Sequence, residues 1–171
     1  MKKTNELTLS AILTALGVIL LLFGRLVPSL DIVAILFASM PIVFAMLELR
    51  RAWPYLIYFA TSALGMMLFF SFVTLEYILF GGIYPIAKYY FEKLPRRIAL
   101  LPKLLFFNLV AVGALMLGKK LFATEISLER ELFIPIWLLA NLTFLIYDYL
   151  MTQLIVRYFL QIRPKLKRFL K

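Results

Sequence analysis

Glu76–Lys88 (EYILFGGIYPIAK) is the stretch on which the topology of this chain turns. Eleven uncharged residues separate its two charged ends, and Gly81, Gly82 and Pro85 interrupt them. Read as a membrane crossing, it gives six spans and returns the C-terminus to the side of the N-terminus. Read as a loop, it leaves five. The cations arbitrate. With six spans and both termini inside, fourteen Lys and Arg face the cytoplasm: Lys2, Lys3, Arg50, Arg51, Lys88, Lys93, Arg96, Arg97 and the six of the tail. Arg25, Lys119, Lys120 and Arg130 face outward, and Lys103 lies at membrane depth. Deleting the crossing leaves seven cations inside against eleven outside. Cytoplasmic connections carry an excess of Lys and Arg. Six spans are therefore expected, with the fourth open to a broken or re-entrant form.

The composition agrees. Of 171 residues, 64% are hydrophobic, more than a water-soluble domain of this size requires. Charge-free runs extend from Leu7 to Gly24, Ile32 to Leu47 and Ala52 to Leu75. Ile98–Leu117, carrying Lys103, and Leu132 to about Val156, carrying Asp148, complete the set. These lengths suit a hydrocarbon core of ~30 Å crossed at ~1.5 Å per residue. Pro41 is expected to kink the second span, while Pro54 falls in the first turn of the third, where a missing N–H is harmless. The first run follows two lysines, as in a secretory signal, but Val27, Pro28 and Ser29 make a poor cleavage sequence, so a retained helix is expected. The expected fold is all-α: a six-span helix bundle, a single integral membrane domain over 1–171, both termini cytoplasmic, with a short basic tail at 161–171. Trp53, Tyr55, Tyr58, Tyr89, Tyr90, Phe91, Tyr158 and Phe159 fall at the proposed inner interface as an aromatic belt.

A net charge of +10 raises nucleic-acid binding, but the cations form short clusters between apolar runs, a pattern that fits cytoplasmic loops and anionic lipids. The chain has neither Cys nor His, which removes disulfides, thiol nucleophiles and imidazole chemistry. It has no GxSxG, HExxH or paired intramembrane carboxylates, so no enzyme, metal or cofactor is expected. It has no phosphate-gripping glycine loop either, so ATP hydrolysis would belong to another chain.

Candidate functional residues are polar groups at membrane depth, each costly unless paired or wetted. Lys103 and Asp148 fall at matched depths on antiparallel spans, as a structural ion pair or part of a proton or ion path. Asn108 and Asn141 are matched likewise, as an interhelical bond or a ligand contact. Lys103 and Asn108 are five apart, ~140° around their helix, so both pairs cannot face the sixth span squarely. Near the outer ends, Arg25, Asp31, Ser71, Thr74, Glu76, Tyr77 and Trp137 form either a polar rim or the mouth of a pocket, with Asn141 one turn below Trp137. Substrate-binding candidates are Asp31, Glu76, Tyr77, Asn108, Trp137 and Asn141.

Span one contains Ala11 and Ala15 in LSAILTALGV (Leu9–Val18), an AxxxA spacing that lets another helix approach closely. That pattern, the size, the six short spans, the inside termini and the Pro41 segment SMPIVFAMLELRRAWPYLIYFATSALGMML together resemble the substrate-binding S components of energy-coupling factor transporters. The stretch Phe80–Leu109 is also similar to a group of small bacterial membrane proteins placed near that family. The resemblance implies an outward pocket for a vitamin or similar micronutrient and docking through Ala11 and Ala15 on a transmembrane T component. Two cytoplasmic ATPases would power the cycle. Glu48–Ala52 replaces the glycine-rich turn common in that family, and no motif of a known vitamin class identifies the ligand. A different expectation is a scaffold similar to the rod-shape membrane protein of the cell-elongation machinery, binding partners or lipids without transporting anything.

Overall fold

The computed structural model describes residues 3–49, 52–95, 98–122 and 130–164, without the side chains of 3, 28, 118–122, 130–133 and 162. The expectations for Arg50, Arg51, Arg96, Arg97 and the tail beyond 164 lie outside the described residues. Regular structure among the described residues is helical, with no strand. The chain divides into two compact units, Met1–Ile126 and Ser127–Lys171.

The first unit opens with α1 (Lys3–Leu26), a short 3-10 turn (Pro28–Leu30) and α2 (Asp31–Glu48). It continues with α3 (Trp53–Leu68), α4 (Phe72–Glu76), a π-helical turn (Tyr77–Gly81), α5 (Tyr84–Phe91) and α6 (Leu100–Phe122). α1, α2 and α3 pack on one another, and α4 with the π turn lies against α1 and α2. Ile35, Ala38, Ile42 and Ala45 recur at helical spacing on one face of α2 and meet Leu13 and Leu21 of α1 and Ile57 of α3 in the core. Small residues set the separation. A Cβ on Gly24 would stand 2.7 Å from that of Ala34, so glycine is what lets α1 and α2 close near their turn.

The side chains are distributed for lipid, not water. Ser10, Thr14, Ser39, Thr61, Thr74, Lys88 and Lys103 are buried, while Leu7, Ile12, Ile19, Phe23, Leu101, Leu105, Leu109 and Met116 are exposed. In water this pattern would strand a large apolar surface. In a bilayer it places hydroxyls where helices meet and aliphatic chains among acyl tails. Two of the buried hydroxyls bond within their own helices, Thr14 donating to the Ser10 carbonyl and Ser39 to that of Leu36.

The third run ends earlier than expected. Uncharged sequence continues to Leu75, but α3 stops at Leu68, and Phe69 and Ser71 are extended. The Ser71 hydroxyl caps α4 by accepting the Thr74 N–H at 3.3 Å, and the Thr74 hydroxyl donates to the Phe69 carbonyl at 3.1 Å. These bonds supply partners that the interrupted helix no longer provides. Phe72–Glu76 therefore belongs to the fourth segment, which is helical but broken. Its π turn closes with the Gly82 N–H on the Tyr77 carbonyl at 2.7 Å, and Gly82 and Ile83 form a turn before α5.

The second unit is α7 (Arg130–Arg157) followed by a π-helical turn (Tyr158–Ile162). Phe144, Tyr147 and Met151 are buried at spacings of three and four along one face of α7. Pro135 falls early in α7, and the helix continues through it.

Candidate functional site

At the end of the first unit that carries the α1–α2 turn, two acids come together. Asp31 opens α2, where a carboxylate suits the helix N-terminus, and its Oδ1 accepts the Ile32 N–H at 2.8 Å. Glu76 closes α4 at the rim and stays exposed on its outer side. Two carboxyl groups at one end of the unit favour a cationic group beside them. Tyr77, the next residue, is fully buried in the core, its ring 6.4 Å from that of Tyr58.

Behind this rim the π turn is held by α2 and α3. The Tyr58 hydroxyl donates to the Ile78 carbonyl at 2.8 Å. A Cβ on Gly81 would overlap the Ile35 side chain, and one on Gly82 would press into the Tyr58 ring. The glycine pair that interrupts the fourth segment in sequence thus admits one side chain from α2 and one from α3. π turns leave a helix locally rearranged and recur at functional positions.

Asn108 lies half-buried on α6 and donates to the Leu104 carbonyl at 2.8 Å. Trp137, Asn141 and Asp148 all lie on α7, in the second unit, and are half-buried. Asn141 donates to the Trp137 carbonyl at 2.9 Å, and Thr152 donates to that of Asp148 at 2.8 Å. Both asparagine amides therefore bond back to their own helix one turn earlier. Ala11 and Ala15 are exposed on α1, whereas Leu13, Thr14, Gly17 and Leu21 are buried.

The α5–α6 connection holds a charge cluster whose assembly the sequence did not disclose. Lys88 is 1% exposed and Lys103 7%. Both ammoniums lie on Oε1 of Glu92, at 2.7 and 3.1 Å. The Lys88–Glu92 spacing of i, i+4 was a legible signal for one half of it. Lys103 joins from α6, which only the fold brings near. The same end has Trp53 donating its indole N–H to Glu6 at 3.0 Å, and Tyr55 and Tyr90 sharing a hydrogen bond at 3.0 Å.

The fold defines an all-helical membrane protein. Among the described residues, four helices are long and apolar enough to cross a bilayer: Thr4–Leu26, Asp31–Glu48, Leu100–Leu117 and Ile134–Gln161. No protein-family model, curated protein or solved structure matches the chain.

Proposed function

We propose that this chain crosses the cytoplasmic membrane six times with both termini inside, and serves as the substrate-binding subunit of an energy-coupling factor type importer of a vitamin-like micronutrient. The observation that carries this reading is the uncovered small-residue face of α1. Ala11 and Ala15 point away from a helix whose opposite face is packed, so a partner helix can approach the backbone closely there. A carrier without a nucleotide site needs such a partner for its energy, here a transmembrane T component and two cytoplasmic ATPases. Asp31 and Glu76 place an acidic entrance at the proposed outer end, suited to a small polar ligand with cationic character. The broken fourth segment behind them supplies an element able to rearrange when the ligand enters.

Purification in mild detergent, with mass spectrometry of the associated proteins and retained small molecules, tests the proposal. It is supported by co-purifying ATPases with a multi-span partner. Recovery with cell-wall synthesis proteins alone would replace the importer with a scaffold of the cell-elongation type.

A further inference from the structure

Between Lys88 and Lys103 the sequence carries five cations and a single acid, Glu92. In the fold that acid is engaged by two buried ammoniums, Lys88 and Lys103. Among the described residues of this stretch, Lys93 is the cation left exposed.

Lys93 is exposed and held in place. Its ammonium lies 4.3 Å from the centre of the Tyr89 ring and 4.9 Å from that of Tyr90. These two rings are three and four residues earlier and stand at 78° to each other. Cation–π attraction steadies the ammonium above them, and Tyr90 is itself tied to Tyr55 of α3 through their hydroxyls. Leu94, the next residue, is an exposed apolar side chain, as are Ile98 and Leu101 further along the chain. A fixed cation and two phenol rims of the kind that sit at headgroup level thus meet at the end of α5.

We infer that the end of α5 is a binding site for an anionic phospholipid, whose phosphate meets Lys93 between Tyr89 and Tyr90 and whose acyl chains start down along the exposed Leu94. Charge complementarity selects the occupant: Lys93 is exposed, and the acid next to it, Glu92, already holds two ammoniums, so a net-negative headgroup is favoured over a zwitterionic one. This site is separate from the proposed import function and stands without it.

The test uses the full-length protein in nanodiscs of phosphatidylcholine with a minor fraction of phosphatidylglycerol. Transfer to detergent and native mass spectrometry then count the retained lipids. Wild type is expected to retain phosphatidylglycerol well above its bulk fraction. Lys93→Gln lowers that enrichment about fivefold, the worth of one basic side chain near an anionic surface, and Lys93→Glu lowers it further. Arg25→Gln, a charge change at the other end of the first unit, leaves it unchanged. Lys93 is exposed, so both variants keep the fold, which thermal unfolding in detergent verifies. Equal enrichment in wild type and Lys93→Gln overturns the site. So does equal retention of phosphatidylcholine, or an equal loss with Arg25→Gln. Saturable binding of inorganic phosphate in neutral detergent, abolished by Lys93→Gln, would also overturn it by making the site one for free phosphate.

Discussion

Lys88 and Glu92 meet one helical turn apart, 2.7 Å between Nζ and Oε1, with the lysine side chain 2% and the glutamate 42% exposed. The pair is asymmetric. The lysine is sealed in the protein, while the carboxylate that neutralises it reaches the surface and also holds Lys103. Removing the shared acid takes an ion-pair partner from two buried cations at once, whereas removing one lysine leaves the acid a partner. Glu92→Gln is therefore expected to destabilise the protein by about 3 kcal/mol, the low end for a broken buried pair because Glu92 is partly solvated. Lys88→Met, similar in length and apolar, is expected to cost clearly less. Thermal unfolding in a fixed detergent measures both, and the reverse order would show that Glu92 is not the hub of the cluster.

Gly81→Ala places a methyl group against Ile35 where the π turn crosses α2. Overpacking of this kind costs about 1–3 kcal/mol. The double variant with Ile35→Ala should recover part of the loss, because the two changes share the same space. Full additivity of the two single changes in a double-mutant cycle would place the strain of Gly81→Ala elsewhere.

Topology can be read with reporter fusions. Fusions after Leu94 and at Lys171 are expected to report cytoplasm, and one near Glu125 the outside. An external signal at Lys171 removes the six-span map.

The α1 face gives the direct test of assembly. Ala11→Trp with Ala15→Trp adds bulk to an exposed surface, so insertion and any ligand affinity should stay near wild type while association with T component and ATPases is lost. Wild-type recovery of the complex would move the dock to another surface.

Helix positions were largely legible because hydropathy and charge mark the ends of long apolar runs. Leu7–Gly24 and Ile32–Leu47 fall within α1 and α2, and Pro54 sits in the first turn of α3 as expected. The end of α3 was not legible by that route. Phe69–Ser71 contains no charge, glycine or proline, and the break depends on the hydroxyls of Ser71 and Thr74. Ser71 three residues before Thr74 is a capping spacing, a signal that hydropathy does not weigh. Asp31 and Glu76 stand at the start of α2 and the end of α4. Tyr77 lies in the core, in one cluster with Ile35 and Ile86. Glu92 reads as an ordinary loop acid in sequence, since its second lysine comes from a different helix.

α1 has 24 residues and α3, packed beside it, has 16. At ~1.5 Å per residue they stand about 36 and 24 Å tall. In the proposed six-span arrangement, the flank formed by α3, whose Met67 is 83% exposed at the short end, would present a wall lower than the bilayer is thick. Lipids there would compress, or the apolar Phe69–Ser71 turn would settle below the headgroups, at a fraction of a kcal/mol for each ångström of misfit. A membrane of shorter-chain lipids would relieve that misfit on one side of the molecule while increasing it along α1. That arrangement thereby couples the tilt of the first unit to bilayer thickness.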